Sequence, residues 1–143
     1  MTPEAMFSWA GSAAMVGWAI LILLPRRWPL LLALPRFLIP LGLSLLYAGL
    51  IAVHFASADG GFGSLAEVRA LFADDHALLA GWVHYLAFDL FIGGWIAVRA
   101  DAIGLPRLLQ APILVLTFML GPVGLTLFLV IRAGYRRNDR AGA

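Results

Sequence analysis

The 143 residues contain no cysteine and no lysine. Without cysteine, disulfides, thiolate nucleophiles and Cys-ligated metals or clusters are excluded. Without lysine there is no amine for a Schiff base, so retinal-type aldehyde chemistry is excluded as well. Charge is scarce: 13% of the residues are charged against 62% hydrophobic, and the mean hydropathy is +0.92. A soluble domain of this length needs far more polar surface to cover itself. Metal-ligand spacing is missing too; no H-E-x-x-H or repeated carboxylate–histidine pattern occurs, so no metal is expected. The composition predicts an all-α integral membrane protein with one domain over 1–143. Met1–Ala5 carries no basic run, and the first apolar stretch continues to Leu24 before Pro25-Arg26-Arg27. That is the pattern of a retained span, and nothing resembles an organelle transit peptide. A bacterial-type inner (plasma) membrane is the expected location, and no nucleic-acid partner is expected.

What is present is a series of apolar runs. Four spans fit, about 6–24, 37–56, 77–98 and 108–131, each near the roughly 20 residues needed to cross the hydrocarbon. The fold class expected is a four-transmembrane-helix bundle. Trp28–Pro35 is apolar but bounded by proline, and reads as an interfacial segment feeding the second span, which Pro40 kinks. Ser64-Leu65-Ala66-Glu67 begins a capping box. A short amphipathic interfacial helix over 65–73 is therefore expected between the second and third spans. Asp74 and Asp75 sit where the third span wants a cap. A basic tail, 132–143, follows the fourth span. An even number of spans puts both termini on one face, and the ten arginines then divide equally between the faces.

Within these runs one charge stands out. Asp89 lies in the middle of the third span, where a carboxylate costs roughly 2.5–3.5 kcal/mol on insertion scales. A helix that carries such a group turns it toward other helices, a cavity or a ligand. At about 1.5 Å per residue, His84 lies roughly 10–12 Å deep and Asp89 roughly 18–20 Å deep. Ser44, Tyr47, Tyr85 and Thr117 fall at similar depths. Rotation separates the two titratable groups: five residues turn a helix by about 140°. Trp82, Tyr85, Asp89 and Gly93 share one stripe, while Phe88, Phe91 and Trp95 continue the stripe of His84. The plain structural alternatives are a buried Asp89 bonded to Tyr or Ser of the next helix, and a His84 bonded to the carbonyl that Pro122 leaves free. Gly121-Pro122-Val123-Gly124 breaks the ladder of the fourth span, and Ala10/Ala14 with Ala13/Gly17 offer small contact surfaces on the first. Trp82 and Trp95 are placed to face either lipid or a long flat apolar ligand.

Gly63 to Val68, Trp82-Val83-His84-Tyr85-Leu86-Ala87-Phe88-Asp89-Leu90-Phe91 and Leu116 to Gly124 together resemble the abscisic-acid-deficiency membrane family, the neoxanthin-synthase-like proteins. The likeness runs from about residue 6 to 132. It implies a small four-helix membrane protein of carotenoid metabolism, whose plant members are needed to convert violaxanthin to neoxanthin. That conversion is an isomerisation: an epoxide opens, an adjacent carbon loses its proton, and an allene and a hydroxyl remain. It calls for a general acid and a base but no redox cofactor. The resemblance implies His84 and Asp89 as the acid/base groups, with Glu67 as a secondary catalytic position and Trp82 beside it. Ligand contact is expected from Trp82, Tyr85, Tyr47, Phe88, Trp95 and Thr117, Tyr47 entering on depth alone. The expected ligand is a bound carotenoid or other apolar isoprenoid, with the lipid bilayer, a second copy or a larger membrane complex as further partners. The competing function is a non-enzymatic pigment-binding or photosynthetic-complex subunit. A transporter is the third, disfavoured because Asp89 is the one acid inside a span.

Overall fold

The computed structural model describes residues 1–55 and 58–141, with 136–141 described by their backbone alone. The expected end of the second span at residue 56 and the side chains of Arg136, Arg137 and Arg140 lie outside the described residues. No strand occurs among the described residues. Among the described residues, three helical stretches are long and apolar enough to cross a membrane: Pro3–Leu23, Pro29–His54 and Asp75–Ala102.

Helix α1, Pro3–Leu23, starts at Thr2, whose side chain accepts from the Ala5 N–H, and has proline in its first turn, where a missing N–H is harmless. The second long stretch begins earlier than the sequence pattern indicates. Trp28–Pro35 is not a separate surface segment: α2, Pro29–Ala33, runs through a π-helical turn, Leu34–Leu38, into α3, Ile39–His54. The wider turn explains why two internal prolines leave the helix unbroken. Pro35 and Pro40 lack the N–H groups that an α ladder needs, and the Ile39 N–H closes the turn on the Leu34 carbonyl.

Helix α4, Leu65–Leu71, is capped as its sequence requires. The Ser64 hydroxyl accepts from the Glu67 N–H at 3.2 Å, and the Glu67 carboxylate accepts from the Gly63 N–H at 3.0 Å. Helix α5, Asp75–Ala102, is capped by Asp74, which accepts from the N–H groups of His76 and Ala77 at 2.9 Å each. It is the central pillar and packs against α1 and α3, and against the two helices that follow it. Its small residues permit close approach. A Cβ on Gly93 would strike the Trp18 ring of α1, and one on Gly17 would strike Leu90. Ala10, Ala14, Gly17, Trp18 and Leu21 form the buried stripe of α1.

The last apolar run departs most from expectation. It is not one span but two helices, α6, Arg107–Leu120, and α7, Pro122–Ala141, folded back on each other at Gly121. The contacts define the reversal. Gln110 near the start of α6 bonds Asp101 at the end of α5, and Phe118 near its end meets Tyr85. Along α7 the order runs the other way: Gly121 lies against Asp89, Phe128 meets the Trp95 ring at 5.7 Å, and Arg132 lies 5.9 Å from that ring. Close to the turn, Gly124 abuts the backbone and hydroxyl of Thr117, an approach that a side chain on Gly124 would forbid. Pro122 cannot continue the ladder of α6, and Gly121 (φ 12°, ψ −78°) takes up the reversal. Neither arm is apolar over enough length to match a bilayer: the apolar helices are Arg107–Leu120 and Pro122–Tyr135, each about 21 Å against roughly 30 Å of hydrocarbon. The chain therefore does not return both ends to one face. Its last helix leaves on the side where α1 and α5 end.

Candidate functional site

Helix α5 presents two working faces, and they follow from its rotation. The stripe of Trp82, Tyr85 and Asp89 lies on the seam with α1 and the hairpin. The stripe of His84, Phe88 and Phe91 lies on the seam with α3, and Trp95, which continues it, stands between the π-helical turn and α7. The five-residue step between His84 and Asp89 sends them to different seams.

On the hairpin seam, the Asp89 carboxyl is half-buried against the tip. A Cβ at Gly121 would lie 2.5 Å from its Oδ1 and 2.8 Å from its Oδ2. Oδ2 is buried and has no hydrogen-bond partner among the described residues. One turn earlier, the Tyr85 hydroxyl donates to the Phe118 carbonyl at 3.1 Å. In an unbroken helix that carbonyl would accept from residue 122, and Pro122 has no N–H to give. The group that rescues it is thus Tyr85, not His84. Asp89 likewise lies against the turn of the hairpin, and no Tyr or Ser of the next helix bonds it among the described residues. Thr117 is fully buried, with its hydroxyl donating to the Ile113 carbonyl at 2.8 Å. Trp82 stacks between Phe7 at 5.5 Å and Tyr85 at 5.3 Å, and borders a hollow of about 390 Å³ beside the start of α1.

On the α3 seam the arrangement is a groove made of three hollows, the first sharing no lining residue with the second. Tyr47, Ile51, Phe55, Phe62, Phe72 and His84 line its first part, about 280 Å³. Ser44, Pro40, Phe88 and Phe91 line the next, about 380 Å³. Phe91 continues into a third part of about 350 Å³ with Trp95, Arg36 and Arg99. The positions used on α5 run from Ala77 to Val98, about 31 Å along the axis. The His84 ring stacks on Phe88 at 4.6 Å and 19°, and meets the Tyr47 ring at 5.3 Å. Phe62 and Phe72, which flank α4, cover the groove above His84; Phe72 is seated on Gly81, where a Cβ would come within 2.8 Å of its ring. His54 and His76 stack at 3.8 Å beyond that end.

Of the expected site residues, the fold therefore brings Tyr47, His84 and Phe88 together, with Trp95 farther along the same groove. It brings Tyr85, Asp89 and Thr117 together around the hairpin tip. Glu67 joins neither group, since its carboxylate is engaged in closing the first turn of α4. No set of three or more His, Asp or Glu side chains suited to a metal occurs among the described residues.

A third polar centre has little signature in the periodicity. Arg26 donates to the Asp101 carboxylate and to the Gln110 amide oxygen at 2.9 Å each, and the Gln110 amide donates to Asp101 at 2.8 Å and to the Leu105 carbonyl at 2.7 Å. Gln110 is 2% exposed and is the single glutamine of the chain. A lone amide at the start of an apolar run is the signal that marks it.

A family model described as ABA DEFICIENT 4-like matches residues 5–128. Among curated proteins and among solved structures, nothing matches.

Proposed function

The chain belongs to the ABA DEFICIENT 4-like family, and from that premise we propose that it binds a xanthophyll or related long isoprenoid along the α3–α5 groove and isomerises it there without a redox cofactor. The observation that carries this reading is the groove itself. Its three hollows follow one another over about 31 Å of α5, close to the thickness of a bilayer core, with the rings of Tyr47, His84 and Phe88 in contact between the first and the second, and aromatic side chains line each of them. A rigid polyene of that length lies with its rings toward the two membrane surfaces. Its reactive end then falls near His84 and Tyr47 under the cover of Phe62 and Phe72, not at the depth of Asp89.

In this reading His84 accepts the proton from the carbon next to the epoxide while the Tyr47 hydroxyl gives its proton to the epoxide oxygen. One C–O bond breaks and the allene forms. Proton return from the imidazolium to the phenolate restores both groups, so the sum is an isomerisation. Asp89 holds the hairpin in register on the other seam rather than exchanging protons with His84. The hairpin and the three long helices act as one membrane domain, with α4 at the surface, and a bacterial inner membrane remains the proposed location. Beyond His84, Tyr47 and the arginines Arg36 and Arg99 toward its far end, the lining of the groove holds no titratable side chain, which favours, as a second reading, a pigment-binding subunit without catalysis.

The test is conversion of a supplied epoxy-xanthophyll by the detergent-purified protein, with pigment retention measured in the same sample. His84→Gln should abolish conversion and leave bound pigment unchanged. Retained pigment with no conversion by the unaltered protein selects the second reading. Failure to retain any pigment overturns both.

A further inference from the structure

The polar centre at the end of α1, α5 and the start of α6 carries an excess of positive charge that its internal bonds leave unbalanced. Arg26, Arg36 and Arg107 stand against the single carboxylate of Asp101. Arg26 and Arg36, with Asp101 and the apolar side chains of Leu21, Leu32 and Val98, line a cavity of about 220 Å³. Two guanidinium N–H groups here, Nε of Arg26 and Nη1 of Arg107, are buried without an acceptor among the described residues. Arg107 spends its other end on the Ile22 carbonyl at 3.1 Å. Arg36 makes no side-chain hydrogen bond among the described residues; its guanidinium lies 5.1 Å from the Phe37 ring. Burial pulls the Arg26 guanidinium below its ordinary pKa, and although Asp101 opposes this, Arg107 and Arg36 add to it. Buried donors without acceptors in a cationic, part-apolar hollow are what a phosphate group would complete.

We infer that this cavity binds the phosphate of an anionic membrane lipid, with Arg26 and Arg36 as its direct partners and Arg107 supplying further charge. Asp101 and Gln110 fix the Arg26 fork so that Nε remains free for the ligand. Leu21, Leu32 and Val98 offer the apolar wall against which the first carbons of the lipid lie. Membrane orientation agrees. The hairpin returns Arg132 to the side that already holds Arg26, Arg27, Arg36, Arg99 and Arg107, leaving Arg69 near the other. That bias marks the Arg-rich side as cytoplasmic, the leaflet where phosphate-bearing acidic lipids and basic pockets between helices meet.

The experiment uses the full chain in nanodiscs of phosphatidylcholine with graded phosphatidylglycerol, reading thermal stability and the lipid retained in native mass spectrometry. The unaltered protein should be stabilised saturably and retain one phosphatidylglycerol. Arg36→Gln, which removes no hydrogen bond among the described residues and only an exposed ring contact with Phe37, should raise the half-saturating fraction about tenfold or more and leave stability in pure phosphatidylcholine nearly unchanged. Arg27→Gln, on the same side but outside the cavity, should change neither. Millimolar inorganic phosphate giving the same protection in pure phosphatidylcholine, lost in Arg36→Gln, would support the phosphate site and assign it to the free anion. Equal weakening by Arg27→Gln and Arg36→Gln would reduce the effect to diffuse surface charge and overturn the site, as would retention of phosphatidylglycerol undiminished by Arg36→Gln.

Discussion

Replacing Gly121 with alanine tests whether the hairpin tip and Asp89 really share one space. The new methyl carbon would lie 2.5 Å from Oδ1, 2.8 Å from Oδ2 and 2.9 Å from Cγ of Asp89. Ordinary contact begins near 3.4 Å, so the two groups must separate by something approaching an ångström. Asp89 has only two side-chain torsions with which to retreat, and forcing one about 30° off its rotamer costs roughly 0.5–1.5 kcal/mol. Moving the tip instead pulls Phe118 from Tyr85. The expected destabilisation is about 1–3 kcal/mol, the range of a tight overpacking. Asp89→Ala removes all three clashing atoms, so in that background Gly121→Ala should cost little, giving a coupling of about 1 kcal/mol or more. Denaturant unfolding in detergent micelles, followed by tryptophan fluorescence, measures all four members of the cycle. Additive losses would refute the contact, and a neutral Gly121→Ala in the unaltered background would do the same.

Two further predictions come from individual hydrogen bonds. Tyr85→Phe removes the hydroxyl that donates to the Phe118 carbonyl and should destabilise by about 1 kcal/mol, within the span found for single bonds between membrane helices; the same unfolding assay should show the loss with pigment retention unchanged. Asp74 is held below its ordinary carboxylate pKa by the N–H groups of Ala77 and His76 at the start of α5. A lowered folded-state pKa means that the stabilisation is complete above the unfolded value and is lost as pH falls through the folded one. Asp74→Asn should therefore remove that acid-side decline while keeping the cap, and Asp74→Ala should lose the cap at every pH.

Much of this architecture is written locally. The helical membrane character, the Ser64 and Asp74 caps and the division of α5 into two stripes depend on neighbours within a turn or two, which sequence periodicity reports directly. The failures share a cause. Pro35 reads as a boundary and Pro40 as a kink because a local rule treats each missing N–H as a break, whereas a π-helical turn absorbs them in one helix. Gly121-Pro122 reads as a weak point within a span because nothing local distinguishes a kink from a reversal. What makes it a reversal is distant packing, with Gly124 on Thr117 and Phe128 on Trp95. The carbonyl freed by Pro122 follows from chemistry, but its choice of Tyr85 over His84 depends on which face of α5 the hairpin meets. Arg26, Asp101 and Gln110 come from three separate segments, so no single window holds their pattern.

The α3–α5 groove is the claim on which the functional reading stands. Ser44 lines it and is exposed, with its hydroxyl turned back to the Pro40 carbonyl at 2.7 Å, so Ser44→Phe fills the groove without disturbing the buried core. The decisive measurement is the visible absorbance of pigment retained per protein after purification from carotenoid-producing cells. It should be near stoichiometric for the unaltered chain and largely lost in Ser44→Phe at unchanged folding stability. Pigment bound equally by both proteins, or by neither, would contradict the account.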